Sequence, residues 1–209
     1  MTPIEIIDTL NELYPDAHCE LVHRNHYEMA VAVVLSAQTT DASVNRVTPA
    51  LFAAYPDAKS LAQADVKEIE NAIRSLGLYR NKAKAIHDMA VGMVDGFGGE
   101  VPHTMKELTS LPGVGRKCAN VILAECYNIP SLAVDTHVNR ISKRLGLAKP
   151  DDTLLQVETK LKRKIPRERW IKCHHQMIFF GRYRCKSRNP ECNGCPFWDI
   201  CNYRKGKVK

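Results

Sequence analysis

The sequence predicts an all-α protein, and three observations lead to that prediction. Apolar residues recur at helical spacing in one segment after another. Polar pairs three residues apart, such as Thr2 with Glu5 and Asp65 with Glu68, mark helix starts in front of these segments. No stretch alternates apolar and polar residues convincingly in the manner of a strand. The one segment expected to be extended without being a strand is 129–134.

The helices expected in the first half are separated by short connections containing proline, glycine or a capping residue. They begin near Thr2, Tyr27, Asp41, Asp65, Asn81 and Thr104, and they end near Leu13, Ala37, Tyr55, Leu76, Val94 and Ser110. The helix over 27–37 is apolar nearly all round, which predicts a central, buried helix. Further helices are expected over 116–127, 135–145, 153–164 and 169–182.

A tight turn is predicted within Leu111-Pro112-Gly113-Val114-Gly115-Arg116-Lys117. The proline disfavours continuation of the preceding helix, and the two glycines permit backbone conformations that other residues avoid. The next helix begins directly afterwards. Its first N–H groups and positive dipole end suit an anion such as phosphate.

Lys117 falls in the first turn of this new helix, where a cation is unfavourably placed. That position, the neighbouring Arg116 and burial in a cleft would each favour the neutral amine, which is the nucleophilic form. The alternative interpretation is a solvent-facing lysine at a helix start.

Asp135 is the candidate partner of Lys117. A helix over 116–127 is about 17 Å long, and an extended 129–134 reaches about 20 Å. The chain can therefore return Asp135 to the level of Lys117, where a carboxylate could stabilise a cationic centre or move a proton. Asp135 is equally plausible as the N-cap of the following helix, and both interpretations stay open.

The charge distribution points to a polyanionic partner. The net charge is +7, but residues 1–139 carry 11 Lys/Arg against 17 Asp/Glu, whereas residues 140–209 carry 19 against 6. The second part is therefore strongly basic, which is typical of one face built to meet a nucleic acid. A solvated basic surface is the alternative.

Four of the eight cysteines fall within 17 residues, at Cys185, Cys192, Cys195 and Cys201. The amino terminus has no signal-peptide pattern and no apolar run is long enough to span a bilayer, so a cytoplasmic protein without a membrane partner is expected. Disulfides are disfavoured in that compartment. Four thiolates hold either zinc or a [4Fe–4S] cluster, and the spacing alone leaves both open.

These motifs together resemble the helix-hairpin-helix DNA glycosylase superfamily of the iron–sulfur type. The resemblance lies in the 111–117 turn, in Val134-Asp135-Thr136-His137, and in the cysteine spacing x6, x2, x5. It implies two helical domains, residues 20–129 with the hairpin and residues 1–19 plus 130–209 with one [4Fe–4S] cluster per chain, and a DNA groove between them. It also implies a monomer that acts on double-stranded DNA with damaged bases or abasic sites, at the nucleoid in a bacterium.

The resemblance assigns a bifunctional activity, in which a DNA glycosylase and AP lyase removes oxidised pyrimidines during base excision repair. Lys117 matches the nucleophile that attacks C1′ of a flipped-out nucleotide, forms a Schiff base and leads to strand cleavage by β-elimination. Asp135 matches the aspartate that assists it. The four clustered cysteines match the cluster ligands.

The resemblance and the basic pattern also give candidate DNA contacts. Gln38 and Leu78 match loop residues that fill the gap left by the flipped nucleotide. From the residues alone, Leu78 could instead close the preceding helix and Gln38 could end one. The other candidates are Leu111, Gly113, Val114, Gly115, Arg116, His137, Arg140, Arg182, Arg184, Lys186 and Arg188. Some of the basic residues could instead offset the charge of the cluster.

Two rival functions remain at this point. An adenine-mismatch glycosylase lacks a lysine at the hairpin position and carries an additional carboxy-terminal domain, so Lys117 and the length of this chain argue against it. A non-catalytic, DNA-binding iron–sulfur protein would keep the hairpin and the cysteines but would not need Lys117 and Asp135.

Overall fold

The computed structural model describes residues 1–208, and this part of the chain contains helices and no strand. The all-α prediction is confirmed. The α-helices, numbered along the chain, are α1 (Pro3–Leu13), α2 (His26–Leu35), α3 (Asp41–Ala54), α4 (Ala58–Ala62), α5 (Val66–Ala72), α6 (Tyr79–Phe97), α7 (Met105–Ser110), α8 (Arg116–Tyr127), α9 (Thr136–Arg144), α10 (Leu154–Lys164) and α11 (Trp170–Phe179). A 3₁₀ turn, Arg167–Arg169, precedes α11, and a π-helical segment, Phe180–Arg184, follows it.

The chain divides into two compact units. Residues 20–129 form the first, here called the central unit, with α2 to α8. Residues 1–19 and 130–209 form the second, here called the terminal unit, with α1 and α9 to α11. Each unit buries its own apolar side chains.

The central unit is built around α2. Every residue from Tyr27 to Leu35 is buried, as the apolar run predicts. The helix packs against α3, α6 and α8, so apolar side chains are needed all round it. The starts of α6 and α8 both carry candidate site residues.

The core of the terminal unit comes from both ends of the chain. Thr2 and Glu5 form the predicted capping box at the start of α1, and α1 packs against α11. The buried side chains of this core include Ile7, Leu10, Val138, Ile141, Leu161, Met177, Phe180 and Phe197. Phe180 and Phe197 lie 5.3 Å apart edge to face, which fixes the cysteine segment against the end of α11.

Several predicted boundaries are wrong by a few residues. Helix α2 ends at Leu35, two residues before the predicted end. Helix α6 starts at Tyr79 and continues to Phe97, where Gly98 ends it in the left-handed conformation. The predicted helix over 169–182 becomes a 3₁₀ turn, α11 and a π-helical segment.

Helix α4 was not predicted at all. It has five residues, which is too short for a periodic apolar pattern to register. Its start is nevertheless marked in the sequence, because Asp57 and Ser60 form a capping box. Within residues 1–208, every helix is too short or too polar to traverse a membrane.

Candidate functional site

Two buried apolar side chains hold the turn between α7 and α8 against the protein interior. Leu111 and Val114 are both buried, and the Val114 N–H donates to the Leu111 carbonyl at 3.1 Å. Gly113 has φ +78°, and a Cβ on it would lie 3.1 Å from the Cβ of Ala85. The position therefore requires glycine. The side chains of Leu111 and Val114 are therefore unavailable to a ligand, and the N–H groups of both residues are already used within the protein.

The start of α8 has no side-chain cap. Eight of the eleven α-helices in residues 1–208 have an N-cap side chain that accepts a backbone N–H, and the three without one are α6, α8 and α11. Gly115 is the N-cap of α8 and has no side chain to offer. The first N–H groups of this helix therefore keep their capacity to bind an anion.

Lys117 lies in the first turn of α8, as the sequence predicts, but it is exposed rather than buried in a cleft. Within the described chain its amine has no carboxylate partner. Cys118 follows Lys117 in α8. Burial raises the pKa of its thiol, and this effect outweighs the lowering by the nearby Lys117 charge. Cys118 is therefore a protonated, unreactive packing residue.

Asp135 is the N-cap of α9, and its carboxylate accepts the Val138 N–H at 2.7 Å. The N-cap interpretation is confirmed, and it does not remove the functional one, because the side chain remains partly exposed. Burial lowers the pKa of neighbouring His137, helped by Arg140 and Arg182 and opposed by Asp135. The ring is therefore neutral near pH 7.

Arg140 faces the protein rather than solvent. Its Nη2 donates to the carbonyls of Gly181 at 2.8 Å and Cys185 at 3.1 Å, and it lies 3.2 Å from His137 Nδ1. A Cβ on Gly181 would lie 3.0 Å from His137 Nδ1. Glycine at 181 thus permits α9 and the π-helical segment to approach closely. Arg140 joins the start of α9 to the start of the cysteine segment.

Gln38 and Leu78 share an uncommon conformation. Both have positive φ, +54° and +58°, although neither is glycine. Both are exposed, Leu78 by 57%. A left-handed residue with a side chain costs about 1 kcal/mol or more, and such residues concentrate at functional sites. The exposure of Leu78 does not favour the alternative interpretation, in which this side chain closes the preceding helix.

The four clustered cysteines carry free thiols in one segment. The thiols interact electrostatically, Cys201 with Cys185 and Cys195, and Cys192 with Cys195. Burial raises the pKa of the Cys185 thiol. Within residues 1–208, no group of three or more His, Cys, Asp or Glu side chains is placed to hold a single metal ion.

Arg144 supports this segment, and the sequence interpretation missed it. It is 1% exposed, and its Nη1 donates to Cys185 Sγ at 3.3 Å and to the Lys186 carbonyl at 2.8 Å. Its guanidinium also stacks on the Tyr203 ring at 4.1 Å. Arg144 follows Val138 and Ile141 at intervals of three residues, so it lies on the apolar face of α9. This spacing is the sequence signal that could have predicted its burial.

The basic residues of this segment differ in their surroundings. Arg182 is half-buried. Arg184 donates to the Asn193 carbonyl at 3.1 Å, so it braces the cysteine segment. Lys186 pairs with Glu191 at 2.7 Å, and both are well exposed, so the pair contributes little stability. Arg188 is exposed.

Comparison with known proteins identifies the class of protein. Residues 31–167 match the HhH-GPD superfamily of base excision DNA repair proteins. A solved structure of a thermostable thymine-DNA glycosylase shares the fold, with a TM-score of 0.86 at 18% identity over 98% of this chain and 97% of that chain.

More similar proteins narrow the class. The chain is 48% identical to endonuclease III of Bacillus subtilis (strain 168) over 97% of this chain and 95% of that protein. It is 38% identical to endonuclease III of Escherichia coli (strain K12), over 97% of this chain and 95% of that protein. A trapped endonuclease III–DNA covalent intermediate, the estranged-adenine complex, matches all of both chains with a TM-score of 0.95 at 48% identity. The chain belongs to the endonuclease III family.

Proposed function

We propose that Lys117 is the nucleophile of this base excision repair enzyme, a DNA glycosylase and AP lyase. The neutral amine of Lys117 forms a bond to C1′ of a damaged nucleotide, and the C1′–N bond to the base breaks. The base leaves with the electron pair and takes up a proton. The C1′–O4′ bond then breaks, O4′ keeps the electron pair and takes up a proton, and an iminium forms between the Lys117 nitrogen and C1′. Loss of a C2′ proton then expels the 3′ phosphate, which cuts the strand.

The observation that carries this proposal is the start of α8. It combines an uncapped helix N-terminus, an exposed lysine in the first turn and a turn that requires glycine. Backbone N–H groups of Gly113, Gly115 and Arg116 would hold a phosphate, and this contact positions the DNA without reading its sequence. The helix start then presents the Lys117 amine beside the bound strand.

Asp135 assists the reaction by stabilising the positive charge that develops on the sugar. Its carboxylate spends one lone pair on Val138 N–H and keeps the remainder for the substrate. The neutral ring of His137 borders it. The hydrogen bond from Val138 fixes the carboxylate before DNA binds, which is the preorganisation that electrostatic catalysis requires.

The protein binds DNA, and we assign it duplexes with oxidised pyrimidines or abasic sites. Gln38 and Leu78, exposed in strained turns, fill the space left by the extruded nucleotide. Arg182, Lys186 and Arg188 contact phosphates. The protein acts as a monomer, at the nucleoid in a bacterial cell.

Members of the endonuclease III family bind a [4Fe–4S] cluster, and we propose that the four clustered thiols hold one here. A single zinc at about 2.3 Å from each sulfur would draw its thiolates to about 3.8 Å from one another. A four-iron cluster gives each thiolate its own iron, so the sulfurs stand farther apart. Four free thiols that interact with one another in one segment offer one ligand to each of four irons. When bound, it cross-links the segment and brings negative charge beside Arg144.

Iron analysis tests the cluster. Protein purified without oxygen is expected to contain iron and acid-labile sulfide at about four each per chain. Cys195→Ala should lose most of both, because it removes one ligand. Cys126→Ala, a cysteine of the central unit, should retain them. Stoichiometric zinc without iron in the wild-type protein would contradict the assignment.

Borohydride trapping tests the function. With a duplex containing one abasic site, borohydride is expected to reduce the iminium and leave a covalent protein–DNA adduct on a denaturing gel. An intact duplex of the same sequence is the control and should give none. A protein that binds the abasic duplex, holds its cluster and yields no adduct would disprove the Schiff-base mechanism.

A further inference from the structure

Lys82 is a buried lysine that the proposed reaction does not use. It lies in the first turn of α6, four residues after Leu78, and is 5% exposed. Burial lowers the pKa of its amine. The only hydrogen-bond partner of this amine in the described chain is the hydroxyl of Thr39, to which Nζ donates. A buried amine without a carboxylate is costly, so an apolar residue would serve the packing better.

Thr39 belongs to the turn that carries Gln38. The Thr39 N–H donates to the Ser36 carbonyl at 3.1 Å, and its hydroxyl lies 3.4 Å from the Ala37 carbonyl. These contacts close the turn around Gln38, whose φ is +54°. The Lys82 amine thus holds this turn from the side of α6.

Leu78 lies at the start of α6, the helix that carries Lys82. It is the N-cap of α6, with φ +58°, and its carbonyl accepts the Lys82 N–H at 3.1 Å. Lys82 therefore contacts the Leu78 residue through its backbone and the Gln38 turn through its side chain. The two contacts join turns that are 40 residues apart in the sequence and belong to the same compact unit.

We propose that Lys82 is a positioning residue, which ties the Gln38 turn to the Leu78 turn so that both side chains enter the DNA as one preformed pair. This inference rests on the proposed insertion of Gln38 and Leu78. Ordering two separate turns during binding would cost conformational entropy, and a bridge made beforehand removes that cost.

The inference predicts a defect that depends on the DNA strand opposite the lesion. In a duplex, extrusion leaves a gap beside the opposite base that the inserted side chains must fill, whereas a single strand has no such gap. Lys82→Met removes the bridge and keeps an unbranched side chain. Strand cleavage at an abasic site is expected to fall about tenfold to a hundredfold in a duplex, and to change less than about twofold in the matching single strand.

Lys84→Met is the matched control. Lys84 lies on the same helix, is exposed and pairs with Asp88. This variant should cleave both substrates at the wild-type rate. Equal losses by Lys82→Met on duplex and single strand would mean a general folding role and would overturn the inference. No loss on either substrate would overturn it as well.

The other partner of the bridge provides a second test that does not depend on the folding of Lys82→Met. Thr39→Val should reproduce the duplex-specific loss, and Thr39→Ser, which keeps a hydroxyl, should restore most of the activity. The double variant Lys82→Met/Thr39→Val should be no worse than the more impaired single variant, because both remove the same contact. Additive losses would overturn the bridge.

Gln38→Ala and Leu78→Ala separate this inference from the function on which it rests. If both variants leave the duplex-to-single-strand ratio unchanged, the proposed insertion itself fails. If both lower the ratio and Lys82→Met does not, insertion stands and the bridging role of Lys82 is wrong. Duplex-specific losses in all three support both.

Discussion

Replacing Lys117 with glutamine is expected to abolish the borohydride-trapped adduct and to lower strand cleavage at an abasic site by about 10³-fold or more. Glutamine keeps the length and polarity of the side chain but has no amine to form the iminium. Because Lys117 is exposed at a helix start, the change should leave the thermal unfolding midpoint near that of the wild type.

DNA binding separates loss of chemistry from loss of affinity. Lys117→Gln should still bind an abasic duplex, because the backbone of the turn and the basic residues of the terminal unit remain. Lys106→Gln is the matched control, since Lys106 is exposed on the preceding helix α7. It removes the same charge and should leave trapping intact. A trapped adduct with Lys117→Gln would place the nucleophile elsewhere.

The helix-to-turn organisation could be predicted because its signals are local. Capping pairs, prolines and the two glycines of the 111–117 turn each constrain only their own neighbourhood. The start of α8, with Lys117 in its first turn, follows from these residues alone. Helix α4 was not predicted because five residues are too few to show an apolar helical period, although the Asp57 and Ser60 capping box marks its start in the sequence.

The strained turns could not be predicted. Gln38 and Leu78 have side chains that disfavour positive φ, and nothing in their immediate neighbours demands it. Both turns belong to the central unit, where elements distant in the sequence pack together, and such contacts leave no local signal in the sequence. The resemblance marked both residues as candidate DNA contacts, and the structure adds their positive φ.

The buried cations escaped prediction for a related reason. Lys82 and Arg144 each occupy an apolar helix face, where a charge is normally excluded. Sequence reasoning places lysine and arginine at the surface by default, and it assigned Arg140 to DNA contact. The structure places Arg140 and Arg144 on carbonyls and a thiol of the cysteine segment. Counting basic residues therefore overstates how many remain free for phosphates.

Asp135 is the position where the sequence left two interpretations, and substitution by asparagine separates them. Asparagine caps a helix about as well as aspartate, because its side-chain oxygen also accepts the backbone N–H. Asp135→Asn should therefore unfold at nearly the wild-type temperature. It removes the negative charge, so glycosylase activity on a duplex with an oxidised pyrimidine is expected to fall about 10²-fold or more.

Asp135→Ala completes the separation, because it removes both the charge and the cap. Its free energy of unfolding should fall by about 1 kcal/mol, while its activity should match that of Asp135→Asn. Asp57→Asn, at another N-cap that accepts a backbone N–H, at 2.8 Å, controls for the substitution and should remain active. If Asp135→Asn were as active as the wild type, capping would be the whole role of Asp135. Loss of activity without loss of stability would instead show that one carboxylate both starts helix α9 and supports the cationic sugar.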